Sequence, residues 1–564
     1  MSKASSIRTN SSDTNSHYTS SSYTDTVKEA SAGRRNGRRP ALSTFIAVLL
    51  FTAAMFPTML SSGCGTGGST GGTSQADVLT TERGSGAGKT ATDESGSMAG
   101  GPVTATTSSS KADATIETDA TKLSNTSDAP YTADVPDATD NPHTAYVSYT
   151  SDAPDTPAVP GAAEISKAIE EAQLLAASYD YDQAISKLAE LAAYDKTGEA
   201  RSLIAELSST KDSLQEADIT AIPHIFFHSL IVYPSLAFHN DDARADDYNT
   251  AMTTVDEFNL IIRQLYDRGY VLVSLHQMAQ FSQEADGTGR MTAGRIMLPP
   301  GKKPIVLSID DMSYYAYMMS DGFATKLVIG PDGKLTNEME KNDGTVIYGS
   351  YDVVPLLNDF IEAHPDFSYK GAKGAIALTG YDGVFGYRTD QDYLLKEHLL
   401  YEQGEWLKKH PDFDYEKDLA EAKAVAQALR DDGWELASHG WGHRDMGKNP
   451  MDKFVTDMEK WIDRVESLIG ETDILIYPFG ADVETGPAYT MDTEKYRWLQ
   501  EHGFHYFCTV NSEQPSVQLG EQYLRQGRIN ADGYMMYHFP EKLMPFFDVA
   551  SVFDTSRPTP VPKY

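Results

Sequence analysis

Short apolar runs alternate with amphipathic helical stretches from Ile222 to the end of the chain, and this alternation restricts the possible folds most strongly. The apolar runs have the length and β-branched content of strands. They read IPHIFFHSL, YVLVSL, PIVLSID, GAIALTG, WELASH, ILIYPFG and HYFCTV. The stretches between them place apolar residues at helical spacing, as in TVDEFNLIIRQLYDRGY, where Thr254 and Glu257 have the spacing of a capping box. The pattern predicts an α/β fold, a distorted (β/α) barrel with fewer than eight strands.

The first part of the chain has a different organisation. A basic segment, residues 1–40, precedes a long uncharged apolar run, and we interpret residues 41–63 as a signal or membrane-anchor segment. The arginines before the apolar run predict a cytoplasmic N-terminal segment and an extracytoplasmic remainder. The sequence LSSGCGTGG resembles a bacterial lipoprotein cleavage site with Cys64 as the lipidated residue. An uncleaved transmembrane helix is the alternative anchor.

Two further segments lead to the barrel. Residues 64–160 are rich in Ser, Thr and Gly and lack the apolar side chains that offset the entropy of ordering, so we expect a disordered linker. Residues 161–218 have apolar positions at helical spacing on either side of SYDYD, which predicts a small helical hairpin that is somewhat similar to a tetratricopeptide unit. The barrel domain is then expected over residues 220–564.

The amino-acid composition argues against a nucleic-acid partner and against a fold held together by disulfides. A net charge of −34 argues against a nucleic-acid partner, because phosphate binding relies on Lys and Arg. The two cysteines, Cys64 and Cys508, lie in segments so different that we expect no disulfide framework. The sequence does not define an oligomeric state.

Residues that could bind a metal or take part in catalysis lie at the ends of two predicted strands. Asp310 and Asp311 close PIVLSID, and His439 closes WELASH, with His443 four positions later. In a (β/α) barrel the catalytic groups collect at the C-terminal ends of the strands. Two imidazoles at this spacing and one carboxylate from another strand would give a three-ligand metal site with a position open for water.

The motifs SIDDM, HGWGH, IYPFG and YHF, in this order, resemble those of the polysaccharide deacetylases, the NodB-homology domain of carbohydrate esterase family 4. The resemblance extends over about residues 222–540, and its N-terminal part includes IFFHSL and KKPIVLSID. It implies a metal-dependent hydrolase that removes acetyl groups from an N-acetylated, or O-acetylated, glycan, and the predicted N-terminal anchor places this activity at the cell envelope.

The resemblance also implies a role for each matching residue. Asp311, His439 and His443 would bind the metal, most often Zn²⁺, and Asp310 would be the general base. The backbone N–H of Phe479 would help to hold the oxyanion. His538 would protonate the departing amine.

This sequence departs from the family pattern in three places. Ile476 stands where an arginine often orients the base, and either Arg388 or Arg528 is a candidate replacement. Met312 replaces the usual glycine after the aspartate pair. The spacing from Asp311 to His439 is much longer than is usual, and the extra sequence, with two Asp-Gly turns, predicts an inserted hairpin near the site.

Two other functions are compatible with a barrel at the cell surface. A catalytically silent glycan-binding barrel would need no general base, and the intact aspartates and histidines argue against it. A glycosidase would place its two acids on different strands rather than next to each other. Four aromatic residues near the motifs are candidates for stacking on sugar rings: Tyr314, Tyr315, Tyr381 and Trp441.

Overall fold

The computed structural model of the protein describes residues 160–238, 244–284 and 289–563. The predictions for the basic segment 1–40, the anchor segment 41–63 and Cys64 therefore lie outside the described residues, as does nearly all of the predicted linker. Within the described ranges, no helix combines the length and the apolar character needed to cross a membrane.

The strands of the described ranges are, in chain order, β1 (Gln215–Glu216), β2 (His224–Phe227), β3 (Tyr270–Leu272), β4 (Ala279–Gln283), β5 (Gly289–Ala293), β6 (Met297–Leu298), β7 (Lys303–Ile309), β8 (Lys326–Ile329), β9 (Leu335–Glu340), β10 (Val346–Gly349), β11 (Ala375–Leu378), β12 (Glu435–Ser438), β13 (Ile474–Ile476), β14 (Tyr506–Val510), β15 (Val517–Leu519) and β16 (Leu524–Asn530).

The α-helices of the same ranges are α1 (Ala162–Ala177), α2 (Tyr181–Leu191), α3 (Glu199–Asp212), α4 (Pro234–Ala237), α5 (Arg244–Ala251), α6 (Val255–Asp267), α7 (Leu275–Met278), α8 (Val353–Ala363), α9 (Gln391–Leu395), α10 (Tyr401–Lys409), α11 (Tyr415–Asp431), α12 (Met451–Trp461), α13 (Ser467–Ile469), α14 (Glu494–Glu501), α15 (Gly533–His538), α16 (Pro540–Leu543) and α17 (Val549–Val552).

Seven parallel strands close into a barrel, which confirms the predicted fold class and the prediction of fewer than eight strands. Around the barrel the order is β2, β7, β11, β12, β13, β14 and β16, and β16 pairs in turn with β2. Each barrel strand therefore lies beside the next one along the chain. Because all seven run in the same direction, their C-terminal ends meet at one rim of the barrel.

Side chains on the two faces of the barrel strands belong to two different apolar layers. On β7, Ile305, Leu307 and Ile309 belong to the larger cluster, which also contains apolar residues of the surrounding helices. Val306 belongs to the second cluster, together with Ala377 of β11 and other residues of the barrel interior. Side chains of successive strand residues point to opposite faces, so one strand serves both layers.

In the part of the chain that the structure describes, three α-helices precede the barrel. Where the sequence predicts a helical hairpin, α1 and α2 pack against each other and α3 packs against α2. Ala172, Leu188 and Leu207, one from each helix, are buried in the cluster that also lines the barrel interior. The Tyr179 hydroxyl donates a hydrogen bond to the carbonyl of Asp366, at 2.7 Å, and links these helices to the barrel.

The long segment between Asp311 and His439 contains a small antiparallel sheet. Strands β8, β9 and β10 pair in the order β10, β9, β8, with Asp-Gly turns at 332–333 and 343–344. The sequence predicts a hairpin here, and the structure adds a third strand to it. We call β8, β9 and β10 the inserted sheet.

The C-terminal tail is fixed by a fully buried ion pair. Arg557 donates two hydrogen bonds of 2.6 Å to the carboxylate of Glu257, and neither side chain is accessible to solvent. Glu257 also completes the predicted capping box of α6, because its carboxylate accepts a 2.8 Å hydrogen bond from the backbone N–H of Thr254. One carboxylate thus anchors both the start of α6 and the tail.

We expect Arg557→Ala to destabilise the protein by about 3–5 kcal/mol, because it leaves the Glu257 carboxylate buried without its partner. Urea unfolding of the parent and the variant measures this difference. Arg295→Ala is a matched control, since its ion pair with Glu216 is largely exposed, at 73% and 56%, and should contribute less than about 1 kcal/mol. Equal losses in the two variants would contradict the assignment of the tail as a buried anchor.

Candidate active site

The C-terminal rim of the barrel brings two aspartates and two histidines together. Asp310 and Asp311 directly follow β7, and His439 directly follows β12. One ligand atom from each of Asp311, His439 and His443 lies within 4.8 Å of the other two. The Nε2 atom of His443 is 3.5 Å from Oδ2 of Asp311. The three residues predicted to bind a metal are therefore neighbours in the structure.

The hydrogen bonding of His439 presents one ring nitrogen to this cluster. Its Nδ1 lies 2.7 Å from the carbonyl oxygen of Ile476, which can only accept, so Nδ1 carries the proton and Nε2 keeps a free lone pair. Burial lowers the pKa of His439, although Asp310 and Asp311 oppose this effect. A neutral imidazole fixed from behind by a carbonyl is a common metal ligand, and with Asp311 and His443 the donor set suits a divalent ion such as zinc.

Asp457 of α12 holds the backbone between the two histidines. Its carboxylate accepts hydrogen bonds of 3.0 Å from the N–H groups of Trp441 and Gly442. A Cβ atom at Gly440 would lie 2.8 Å from one oxygen of Asp457, and a Cβ atom at Gly442 would lie 2.9 Å from the other. The close approach of this carboxylate favours glycine at both positions of HGWGH, and the φ of +68° at Gly440 favours it further.

Arg528 of β16 is paired with Asp310. Its guanidinium donates to both carboxylate oxygens, at 2.6 and 2.9 Å, and both residues are buried. Burial alone would raise the pKa of Asp310, but Arg528, aided by His439, holds it well below its ordinary value. Arg388, the other candidate from the sequence, instead donates to the carbonyls of Asp382 and Tyr314. The structure thus identifies Arg528 as the arginine that orients Asp310.

Asp311 is positioned by a tyrosine. The Tyr315 hydroxyl lies 2.5 Å from Oδ1 of Asp311 and 2.7 Å from the hydroxyl of Thr379. The second oxygen of Asp311 faces His443. One carboxylate oxygen is therefore occupied by the protein, and the other is directed toward the cluster.

His228 is a further histidine at the rim, and no role is predicted for it from the sequence. It follows β2, whose pairing with β7 places Phe227 opposite Ile309, so His228 is beside the aspartates. Its charge would lower the pKa of both Asp310 and Asp311. Its Nδ1 is buried without a hydrogen-bond partner among the described residues. The available signal was its position within the predicted strand IPHIFFHSL.

The structure does not bring His538 into this cluster. His538 ends α15, and its Nε2 lies 2.9 Å from the carbonyl oxygen of Val561 in the C-terminal tail. Its ring contacts Tyr534, Tyr537 and Phe539. The aromatic residues around the YHF motif pack this histidine against the tail rather than against the aspartates.

Phe479 lies at the edge of the cluster. Its ring packs edge-on against the ring of His443, at 4.3 Å between centroids, and 68% of the residue is exposed. Of the four aromatics proposed for sugar stacking, Tyr314 and Tyr315 are buried, whereas Tyr381 and Trp441 are partly exposed. Trp441 is held by a 2.7 Å hydrogen bond from its indole to Asp390.

The rim therefore has the features of a hydrolytic site: three residues that could together hold a metal ion, an ionised carboxylate beside them and a further imidazole. The family model described as polysaccharide deacetylase matches residues 399–507, which include His439, His443 and Phe479. This match confirms the resemblance found in the sequence over residues 399–507. A comparison with curated proteins gives no match.

Solved structures of deacetylases are among those similar to this chain. A deacetylase from Streptococcus pyogenes, in complex with acetate, is 14% identical, with 58% of this chain and 97% of that chain covered and a TM-score of 0.30. A polysaccharide deacetylase from Bacillus cereus is 13% identical, with 56% and 65% covered and a TM-score of 0.28. Likenesses this distant carry no argument about the site of this chain.

We expect Asp457→Ala to weaken zinc binding by about 10- to 100-fold, because the backbone between His439 and His443 loses both of its hydrogen bonds to α12. Calorimetric titration of the metal-free protein with zinc measures the affinity. Asp452→Ala is the control, since Asp452 lies exposed in the first turn of the same helix. Unchanged zinc affinity in Asp457→Ala would show that the loop keeps its geometry without this carboxylate.

Proposed function

We propose that the protein is a metal-dependent deacetylase that hydrolyses acetyl groups, N-linked in preference to O-linked, on a glycan of the cell envelope. The observation that carries this proposal is the meeting of Asp311, His439 and His443 at the barrel rim beside the Asp310–Arg528 pair. The family match supports deacetylase activity. The metal, the N-acetyl preference and the envelope substrate are parts of the proposal.

Asp311, His439 and His443 would hold the divalent ion, most often Zn²⁺ in this family. When bound, such an ion supplies Lewis-acid polarisation of the acetyl carbonyl. A site with three protein ligands leaves room for water and substrate. The low pKa of Asp310 keeps its carboxylate ionised, so it is able to accept a proton from the attacking water.

We assign the second proton transfer to His228 in place of His538. Its charge would act on both aspartates, and its Nδ1 is buried without a hydrogen-bond partner among the described residues. In its protonated form His228 would give a proton to the departing amine. The backbone N–H of Phe479 remains our candidate for an additional donor to the oxyanion.

These roles predict different outcomes for neighbouring residues. Asp310→Asn should retain zinc but lose about 10²–10⁴-fold in turnover, because it removes a base and no ligand. His439→Ala should lose zinc and activity together, because two ligands remain. Zinc titration and acetate release from a panel of acetylated glycans, with and without chelator, measure both effects.

The same assay separates the two candidate proton donors. His228→Gln should reduce turnover by about 10²-fold or more, whereas His538→Gln should cause a much smaller loss. A larger loss in His538→Gln would restore the role predicted from the sequence. If Asp310→Asn loses zinc as completely as His439→Ala, or if the chelator has no effect on acetate release, the proposed mechanism is wrong.

We also propose that the protein is extracytoplasmic and is held at the membrane by its N-terminal part. Support comes only from the sequence: the apolar segment 41–63 after basic residues, and Cys64 in a lipoprotein-like setting. Lipidation predicts that Cys64→Ala accumulates as a longer, uncleaved form in the membrane fraction. If the parent protein and Cys64→Ala have the same mass and the same distribution between fractions, the transmembrane helix is favoured. If both are recovered in the cytoplasm, the proposed extracytoplasmic location is wrong.

A further inference from the structure

One face of α12, and of the π-helical turn Ile462–Glu466 that continues it, contacts two loops of the barrel rim. Turns of this type are rare and occur mostly at functional sites. Four side chains of this segment are spaced three or four residues apart and so lie on one side of it: Asp457, Lys460, Trp461 and Arg464. Asp457 binds the backbone of HGWGH, after β12, and the indole of Trp461 donates a 2.7 Å hydrogen bond to the carbonyl of Leu378, at the end of β11. This helix face therefore joins the loop after β11 to the loop after β12.

Asp390 is the residue of the loop after β11 that binds both the helix face and HGWGH. Its side chain is inaccessible to solvent. One carboxylate oxygen accepts a 2.7 Å hydrogen bond from the indole N–H of Trp441, and both oxygens accept from the guanidinium of Arg464, at 3.0 and 3.1 Å. The backbone N–H of Asp392 donates a further bond of 2.9 Å. Asp390 thus links Trp441, which lies between the two histidines, to the π-helical turn.

The other contacts of Trp441 also fix its position. Its carbonyl oxygen accepts hydrogen bonds from the N–H groups of Gly380 and Tyr381, at 2.9 and 3.0 Å. The ammonium group of Lys460 lies over the indole, 4.0 Å from the ring centroid. The edge of the ring approaches the loop after β11 so closely that a Cβ atom at Gly380 would lie 2.5 Å from Cδ1 of Trp441. The indole is therefore held on one face, on one edge and at its nitrogen.

A displacement of Trp441 would displace the candidate metal ligands. Trp441 is two positions from His439 and two positions from His443, within one short loop. His443 has φ of +49°, a conformation that persists only where its surroundings enforce it. Residues that hold metal ligands in place affect metal affinity nearly as strongly as some ligands do. The contacts of Trp441 are therefore able to control the geometry of both histidines.

We propose that Asp390 is a positioning residue for the candidate metal site: it fixes the indole of Trp441 and, through it, the loop that carries the two histidines. Arg464 orients the Asp390 carboxylate for this contact. The inference rests on the proposed function and adds to it a residue that belongs to none of the motifs of the site, 51 positions from Trp441 in the sequence. It also assigns a purpose to the π-helical turn, which carries Arg464.

The test uses the full chain, freed of metal with a chelator, and measures zinc affinity by calorimetry and hydrogen exchange of residues 439–446 by mass spectrometry. Asp390→Ala should weaken zinc binding by about 10-fold. It should also speed exchange in this segment by about 10-fold, as for the loss of one hydrogen bond to a charged group. Trp441→Phe removes the indole N–H but keeps the Asp390–Arg464 pair, so it should have the same effects, and it decides the case if Asp390→Ala does not fold.

Asp392→Ala is the matched control. The carboxylate of Asp392 also faces Arg464, at 3.5 Å, and lies in the same loop, whereas the indole N–H of Trp441 donates to Asp390. Zinc affinity and exchange of residues 439–446 should therefore stay close to those of the parent. The double variant Asp390→Ala/Trp441→Phe should be no worse than either single variant, because both changes remove the same contact.

Three results would overturn the positioning role and leave the proposed function intact: parent-like affinity and exchange in Asp390→Ala, equal effects of Asp390→Ala and Asp392→Ala, or additive losses in the double variant. If the parent binds no zinc, the proposed function fails at its metal, and hydrogen exchange alone decides about Asp390. In that case, faster exchange of residues 439–446 in Asp390→Ala but not in Asp392→Ala supports the positioning role. Unchanged exchange in Asp390→Ala refutes it.

Discussion

The buried ion pair between Asp310 and Arg528 is the interaction on which the candidate active site at the barrel rim depends. Arg528 is inaccessible to solvent, and its guanidinium also donates to Ser308, at 3.0 Å, and to the carbonyl of Thr509, at 3.3 Å. Replacing a buried ion pair by apolar residues of similar volume is often neutral or stabilising, so stability is a weak reason for its presence. A role for the ionised carboxylate beside the candidate metal ligands Asp311, His439 and His443 is the functional alternative.

Inside the barrel, the Asp310–Arg528 pair belongs to a chain of hydrogen-bonded polar side chains that also includes Ser308, His224 and Gln526. We call this chain the polar column. His224 of β2 bridges Ser308 and Gln526, with ring nitrogens at 2.8 and 3.0 Å from their side-chain oxygens. Burial, reinforced by Arg528, lowers the pKa of His224 well below its ordinary value, so the column contains one cation and one anion. Each polar side chain of the column has a partner, which is the condition under which a buried network does not destabilise its surroundings.

The sequence predicted the elements of this site better than their arrangement. Strand ends are local features, so Asp310, Asp311, His439 and His443 could be found from apolar runs and spacing. Arg528 is 218 positions from Asp310, and the two meet only because β16 closes the ring beside β2 and β7. Closure depends on the number of strands, which no local pattern defines. His228 directly follows β2, which pairs with β7 as the preceding barrel strand, but the local motif around His538 was the stronger signal.

Backbone conformation explains how two adjacent aspartates serve one site. In an extended strand, neighbouring side chains point to opposite faces, and Asp310 continues the inward series of Val306 and Ser308. Its N–H donates to the carbonyl of Phe227, at 2.8 Å, and fixes this orientation. Asp311 has φ of +59°, a left-handed conformation that is uncommon outside glycine, and the alternation ends there. Its carboxylate consequently faces His443 instead of the outer helices.

His443 and Phe479 also have positive φ, at +49° and +58°. Such conformations cost free energy and persist where the surroundings enforce them, as Tyr315 does for Asp311, so the geometry of the cluster is a property of the folded barrel that exists before any ion binds.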